Sequence, residues 1–191
     1  MSTLHKLPNA FIADNEFLLA LLRESREKFL RSFAGVSDET SRLRPAPDCW
    51  SILETVEHLA MAETFMLSLV TTQRAPRSAT TPNREEAFLL NVGNRSRKMD
   101  SPEGAKPKGR FTNLAEAAAQ FKASRDGAIG FVEKNTDDLR ATEITHPHAA
   151  VGTVSTYEML IIMAKHAERH VAQIEEIKNT LAHSGPARSQ S

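Results

Sequence analysis

A single cysteine, Cys49, excludes an internal disulfide in this chain of 191 residues. A lone thiol of this kind reads as a small buried hydrophobe. There is no excess of charge of either sign, with 24 Lys and Arg against 24 Asp and Glu. No basic stripe runs along the sequence, so the electrostatic footprint of a nucleic-acid binder is missing. No stretch approaches the ~20 apolar residues that a membrane span needs, and no apolar signal stretch opens the chain. The expected address is the cytoplasm, with neither nucleic acid nor membrane as partner. No internal repeat of fixed period and no convincing strand run is visible. At this length one domain over 1–191 is expected, with a core from about 9 to 182 and a frayed tail over 183–191.

What the sequence does contain is helical periodicity. From about Asn9 to Phe33, apolar side chains recur at Phe11, Leu18, Leu21, Leu22, Phe29, Leu30 and Phe33, and Gly35 ends the run. The stretch from Val36 to Cys49, with Pro45 and Pro47, is a connector holding one short helical turn. Ser51-Ile52-Leu53-Glu54 has the spacing of a capping box and opens a helix to Thr72. Pro76 to Pro82 is irregular, and Asn83 to Met99 is a weaker, short helix. Ser101 to Gly109, with Pro102, Gly104 and Pro107, is a loop. Asn113-Leu114-Ala115-Glu116 opens a third long helix to Asn135. Gly127 and Gly130 inside it mark either close helix contact or weak spots. After a loop from His146 to Gly152, Ser155-Thr156-Tyr157-Glu158 caps a fourth long helix to Ala182. Four long helices make the chain all-α, a four-helix bundle.

The chemistry concentrates on histidine. His166 and His170 lie four apart, so both imidazoles leave one side of the last helix about 6 Å apart along its axis. That is a two-point grip on a metal ion, and a bundle allows His58 of the second long helix to join it. Three neutral imidazoles would hold a transition metal and leave a coordination position free. The competing reading is three packed histidines with satisfied hydrogen bonds. The pair is not the metalloprotease motif, because Ala167 stands where that motif has its glutamate. For a general base the acidic candidates are Glu54, Glu57, Glu63 and Glu168. Glu54 shares a face with His58 and is, with Gln173, the catalytic candidate unless its cap occupies it, and Glu57 and Glu168 lie round the helix from the histidines. Gln173 faces the same way as His166 and His170, suited to orient a ligand or to brace a metal-bound histidine. His146 and His148 sit in a loop, as a turn or at a pocket mouth. Trp50 reads as packing, and His5 and His183 as bystanders.

Several of these pieces, in this order, resemble the DinB-like family. They are Trp50-Ser51 opening a helix, Glu57-His58-Leu59 and Glu63, the loop Pro107-Lys108-Gly109, then His146-Pro147, Gly152, Glu158, His166-x-x-x-His170 and Gln173-Ile174. The resemblance runs from about residue 10 to 180. It implies a four-helix bundle with a long crossover, frequently a homodimer. It also implies zinc or nickel held by three histidines, which match His58, His166 and His170. Relatives include S-transferases and isomerases that use a low-molecular-weight thiol such as bacillithiol or mycothiol. The variant with Trp-Ser and His-Pro is described as a metal-dependent hydrolase. The expectation is thus a metal-dependent enzyme acting on a small-molecule substrate. Thiol transfer is preferred to hydrolysis, because a thiolate is its own nucleophile while no carboxylate is a compelling base. The alternative is a non-catalytic, dimeric bundle that binds metal or a ligand.

Overall fold

A computed structural model describes residues 7–96, 101 and 103–183. Of the expected tail over 183–191, His183 ends the last helix and residues 184–191 lie outside the described residues, as do the end of the expected helix at 97–99 and His5. The long helices are α1 (Leu7–Ser32), α3 (Ile52–Thr72), α5 (Leu114–Lys134) and α6 (Thr156–His183), with short helices α2 (Asp38–Ser41) and α4 (Glu85–Asn91).

Local chemistry starts the helices where the sequence indicates. Ser51 and Glu54 form a reciprocal box on α3, with Ser51 N–H donating to Glu54 Oε2 at 2.8 Å and Glu54 N–H to Ser51 Oγ at 3.2 Å. Ser155 and Glu158 do the same for α6, at 2.7 and 3.1 Å. Asn113 caps α5 by accepting from Glu116 N at 2.9 Å. Each box satisfies amides that the first helical turn leaves without partners.

Two expectations need correction. Among the described residues of 83–99, the helix spans Glu85–Asn91. The chain also has strands: Ala75–Pro76 (β1), Thr142–Thr145 (β2) and Thr153–Ser155 (β3) form an antiparallel sheet in the order β1-β2-β3. Runs of two to four residues are too short to display the alternation by which a strand is read. Pro76 is tolerated because β1 is an edge. The β2–β3 loop turns at Gly152, whose φ of 61° is a left-handed conformation that favours glycine.

Around the bundle, α1 packs on α6, α6 on α3, α3 on α5 and α5 on α1. The ion pairs Arg23–Glu133 and Arg26–Asp126 show α1 and α5 antiparallel. Lys178 reaching the Ser32 carbonyl, with Lys28 near Glu168, shows α1 and α6 parallel. Thr64 meeting Ser124, and Arg74 meeting Phe131, shows α3 and α5 parallel. Consecutive long helices α1 and α3 therefore sit across the ring from one another, as do α5 and α6. The long connection over residues 73–113 is the crossover that joins the parallel neighbours α3 and α5.

The core has two apolar halves. One holds Leu18, Leu22, Met66, Leu69, Ile129 and Met159; the other holds Phe29, Ile52, Val56, Leu59, Phe121 and Ile174. Between them lies Arg125, with no exposed surface. Its Nε and Nη2 meet Glu63 at 2.9 and 2.6 Å, Nη1 reaches Leu22 O at 3.0 Å and Ser25 Oγ at 2.6 Å, and Nη2 reaches Met163 O at 3.0 Å. All five guanidinium N–H groups are thus satisfied, and one side chain ties α5 to α1, α3 and α6.

Candidate metal centre

Next to that polar waist, antiparallel packing of α3 on α6 brings His58 to His166 and His170. One ring nitrogen from each lies within 4.8 Å of the others. The ring centroids of His58 are 5.4 Å from His166 and 4.9 Å from His170, and those two are 4.5 Å apart. His58 and His170 are 5% and 4% exposed, and His166 is half-buried, so any open side of the cluster is at His166.

Hydrogen bonds behind the rings determine which nitrogens face the cluster. His58 Nδ1–H donates to the Ala105 carbonyl at 2.7 Å, and His170 Nδ1–H donates to Gln173 Oε1 at 2.9 Å. Each ring thereby keeps its Nε2 lone pair for another partner. The Nε2 atoms of His166 and His170 stand 2.9 Å apart. That is the separation of two nitrogens bound at about 2.0–2.1 Å to one ion at nearly a right angle. The donor set is neutral: burial, foremost, pushes His58 below the ordinary histidine range and His166 and His170 well below it. Mutual repulsion disfavours protonating more than one of the three, and the cations Arg169 beside His166 and Arg95 beside His170 add to the effect. Unprotonated imidazoles are what a transition metal requires, so the three residues fit a divalent ion. Trp50 lies against His58, with ring centroids 4.9 Å apart.

The other candidates are spoken for. Glu54 caps α3 and pairs with Arg44. Glu57 is buried and accepts from Lys108 N at 2.7 Å and Arg110 N at 3.1 Å, which pins the crossover loop to α3. Glu63 is held by Arg125, and Glu168 pairs with Lys165. Gln173 sits behind His170, the bracing place its spacing suggested. His146 packs edge-on to Phe65 at 5.6 Å. Its Nδ1 accepts from His148 N at 3.0 Å, so the neutral ring carries its proton on Nε2. Cys49 is a half-buried free thiol. His183 bonds within its own helix, to the Asn179 carbonyl at 2.6 Å, far along α6 from the cluster.

Sequence reasoning missed three contributors. The Ala105 carbonyl is a backbone group with no residue signature. Arg95 reaches Gln173 from a distant segment. Arg125 had a visible signal, a charge on the apolar stripe of Phe121, Ala128 and Val132.

Comparisons with known proteins agree with this architecture. A family model described as the DinB superfamily matches residues 21–174. The uncharacterized protein YuaE of Bacillus subtilis (strain 168) is 21% identical over 163 residues, which cover 85% of this chain and 98% of YuaE. Among solved structures, YfiT from Bacillus subtilis is described as a probable metal-dependent hydrolase with an unusual four-helix bundle topology. It superposes with a TM-score of 0.59 at 15% identity, covering 95% of this chain and 92% of YfiT. A conserved protein from Enterococcus faecalis superposes with a TM-score of 0.60 at 13% identity, over 88% of this chain and 97% of that one. At these identities the two structures show a shared fold.

Proposed function

The chain belongs to the DinB superfamily, and we propose that it is a metal-dependent enzyme using a divalent ion, zinc or nickel, on His58, His166 and His170. The observation that carries this reading is the convergence of three buried or half-buried neutral imidazoles, two of them tied behind by Nδ1–H bonds. An ion held by three protein ligands supplies an open Lewis-acidic position, which lowers the pKa of a coordinating thiol or water.

The chain's own residues favour thiol transfer to a small electrophile over hydrolysis. Hydrolysis wants a base, yet Glu54, Glu57, Glu63 and Glu168 are all engaged elsewhere. His146 has its Nδ1 lone pair engaged by His148 N–H, so it too is not a free base. In thiol transfer the sulfur bonds to an electrophilic carbon, the leaving group departs with its electron pair, and the thiol proton passes to solvent. Hydrolysis is the second reading, supported by the likeness to YfiT.

The test is elemental analysis followed by a panel of low-molecular-weight thiols with electrophilic acceptors. One zinc or nickel per chain is expected, lost in His58→Ala and His166→Ala and kept in His183→Ala. Full metal in the first two variants would place the ion elsewhere. Turnover in water with none from any thiol would reverse the choice of reaction, and metal without turnover of any kind would leave a binding protein.

A further inference from the structure

The guanidinium of Arg95 stands at the outer end of a hydrogen-bond chain that ends on one of the three histidines. Arg95 follows α4, in a segment held along α6 by a bond from Arg169 to the Asn94 carbonyl. Its Nε and Nη2 grip Glu176 at 2.9 and 2.7 Å, and its Nη1 donates to Gln173 Oε1 at 3.2 Å. The same oxygen accepts from His170 Nδ1 at 2.9 Å.

The logic of donors and acceptors runs inward along this chain. A side-chain amide can turn over and exchange its oxygen for its NH2, whereas a guanidinium only donates. Arg95 therefore holds the oxygen of Gln173 toward itself, and the imidazole nitrogen that meets this oxygen carries the proton. A neutral imidazole has one N–H, so His170 keeps its lone pair on Nε2. With that lone pair on His170, the 2.9 Å approach of His166 Nε2 makes His166 the donor of the pair in the metal-free chain. Without Arg95 the amide is free to present its NH2 to Nδ1. That favours the opposite tautomer, in which Nε2 is protonated and cannot bind a cation.

We infer that Arg95 is a positioning residue of the metal centre: by holding Gln173 with its oxygen toward His170, it selects the imidazole tautomer that ligates. The inference rests on the proposed metal site for its purpose, but the tautomer is a property of the metal-free chain. The experiment pairs two readouts on the full chain. Nitrogen-15 NMR of the metal-free protein reads the His170 tautomer, and chelator competition reads zinc affinity.

Wild type should be protonated at His170 Nδ1. Arg95→Met should populate the Nε2–H form and weaken zinc about 10-fold, the lower end of the range for groups braced behind metal-bound histidines. Gln173→Leu should weaken zinc at least as much, and adding Arg95→Met to it should cost nothing more. Gln173→Glu accepts whichever way it turns, so it should restore both tautomer and affinity in the Arg95→Met background. Arg95→Lys keeps a donor for the oxygen and should behave as wild type. An unchanged tautomer and zinc affinity in Arg95→Met, or losses that add in the double variant, would overturn the inference. A wild type that binds no zinc while its His170 tautomer still follows Arg95 would sink the metal reading and leave the tautomer link standing.

Discussion

Arg125 and Glu63 are the sharpest place to perturb this fold, because removing both is expected to cost less than removing either, against simple bookkeeping of contacts. Both side chains have no exposed surface and are joined by two hydrogen bonds of 2.9 and 2.6 Å. Removing one member leaves a buried charge without its counterion, which costs about 3–5 kcal/mol. A domain of this size has on the order of 5–15 kcal/mol in total, so Glu63→Met or Arg125→Met should lower Tm by roughly 6–20 °C, at about 2–4 °C per kcal/mol. Removing both should cost much less. Leu22 O and Met163 O lie inside helices that bond them, Ser25 Oγ keeps its bond to Leu22 O at 3.2 Å, and two Met side chains refill the space. The double variant is expected within about 2 kcal/mol of wild type. The pair then specifies helix register more than it adds net stability.

The single variants also carry a pH signature. Burial pushes the Glu63 carboxyl up against the pull of Arg125, and without Arg125 it rises further. A raised folded pKa means that the unfolded chain releases its proton first as pH rises. The deficit of Arg125→Met should therefore be smallest below the ordinary carboxyl value of 4.5 and grow as pH rises through the folded pKa. Equilibrium urea unfolding of metal-free protein measures both effects. Singles that each cost less than about 1 kcal/mol, or a double whose cost equals their sum, would refute the reasoning.

The remaining expectations concern the histidines and α5. Burial holds His58, His166 and His170 below 6.5, so the unfolded chain protonates first as pH falls. The metal-free protein should be at full strength above about 6.5 and weaken through the lowered values, and stability flat between about pH 7 and 5 would contradict this. The single tryptophan lies 4.9 Å from His58, so nickel should quench its emission, and unchanged emission at saturation would put the ion elsewhere. Metal at about 100 times its Kd should add ~2.7 kcal/mol, or roughly 5–11 °C in Tm, which a chelator removes; equal melting curves with and without metal would count against a bundle braced by it. Gly130 has open space where a Cβ would stand, and Gly130→Ala should stabilise by up to ~1 kcal/mol. A Cβ at Gly127 would come within 2.7 Å of Leu67 Cδ2, so Gly127→Ala should show a smaller gain or none, and the two melting temperatures decide it.

The same contrast settles how much of this molecule is legible along the chain. The helices, their capping boxes and the i, i+4 histidine pair are local: they depend on side chains three or four residues apart, and a helix guarantees that such residues meet. Composition alone showed no excess of basic charge and, with one cysteine, excluded an internal disulfide. The ring order of the helices, the pairing of β1 with β2 and the partners of Glu57 and Glu63 are contacts between residues separated by tens of positions. No periodicity encodes them, and the two-residue β1 shows no pattern at all. Gly127 and Gly130 look identical in sequence and differ only because Leu67 lies over one of them. Sequence by itself determined that His166 and His170 share a side and that His58 stands on another amphipathic helix. Only the tertiary structure decided that antiparallel packing of α3 on α6 brings the third imidazole to the pair, and that Ala105 and Gln173, themselves delivered by the crossover and by α6, hold two rings with Nε2 inward. The reason is that convergence is set by which helix faces bury against one another, and that choice is made by the whole core at once.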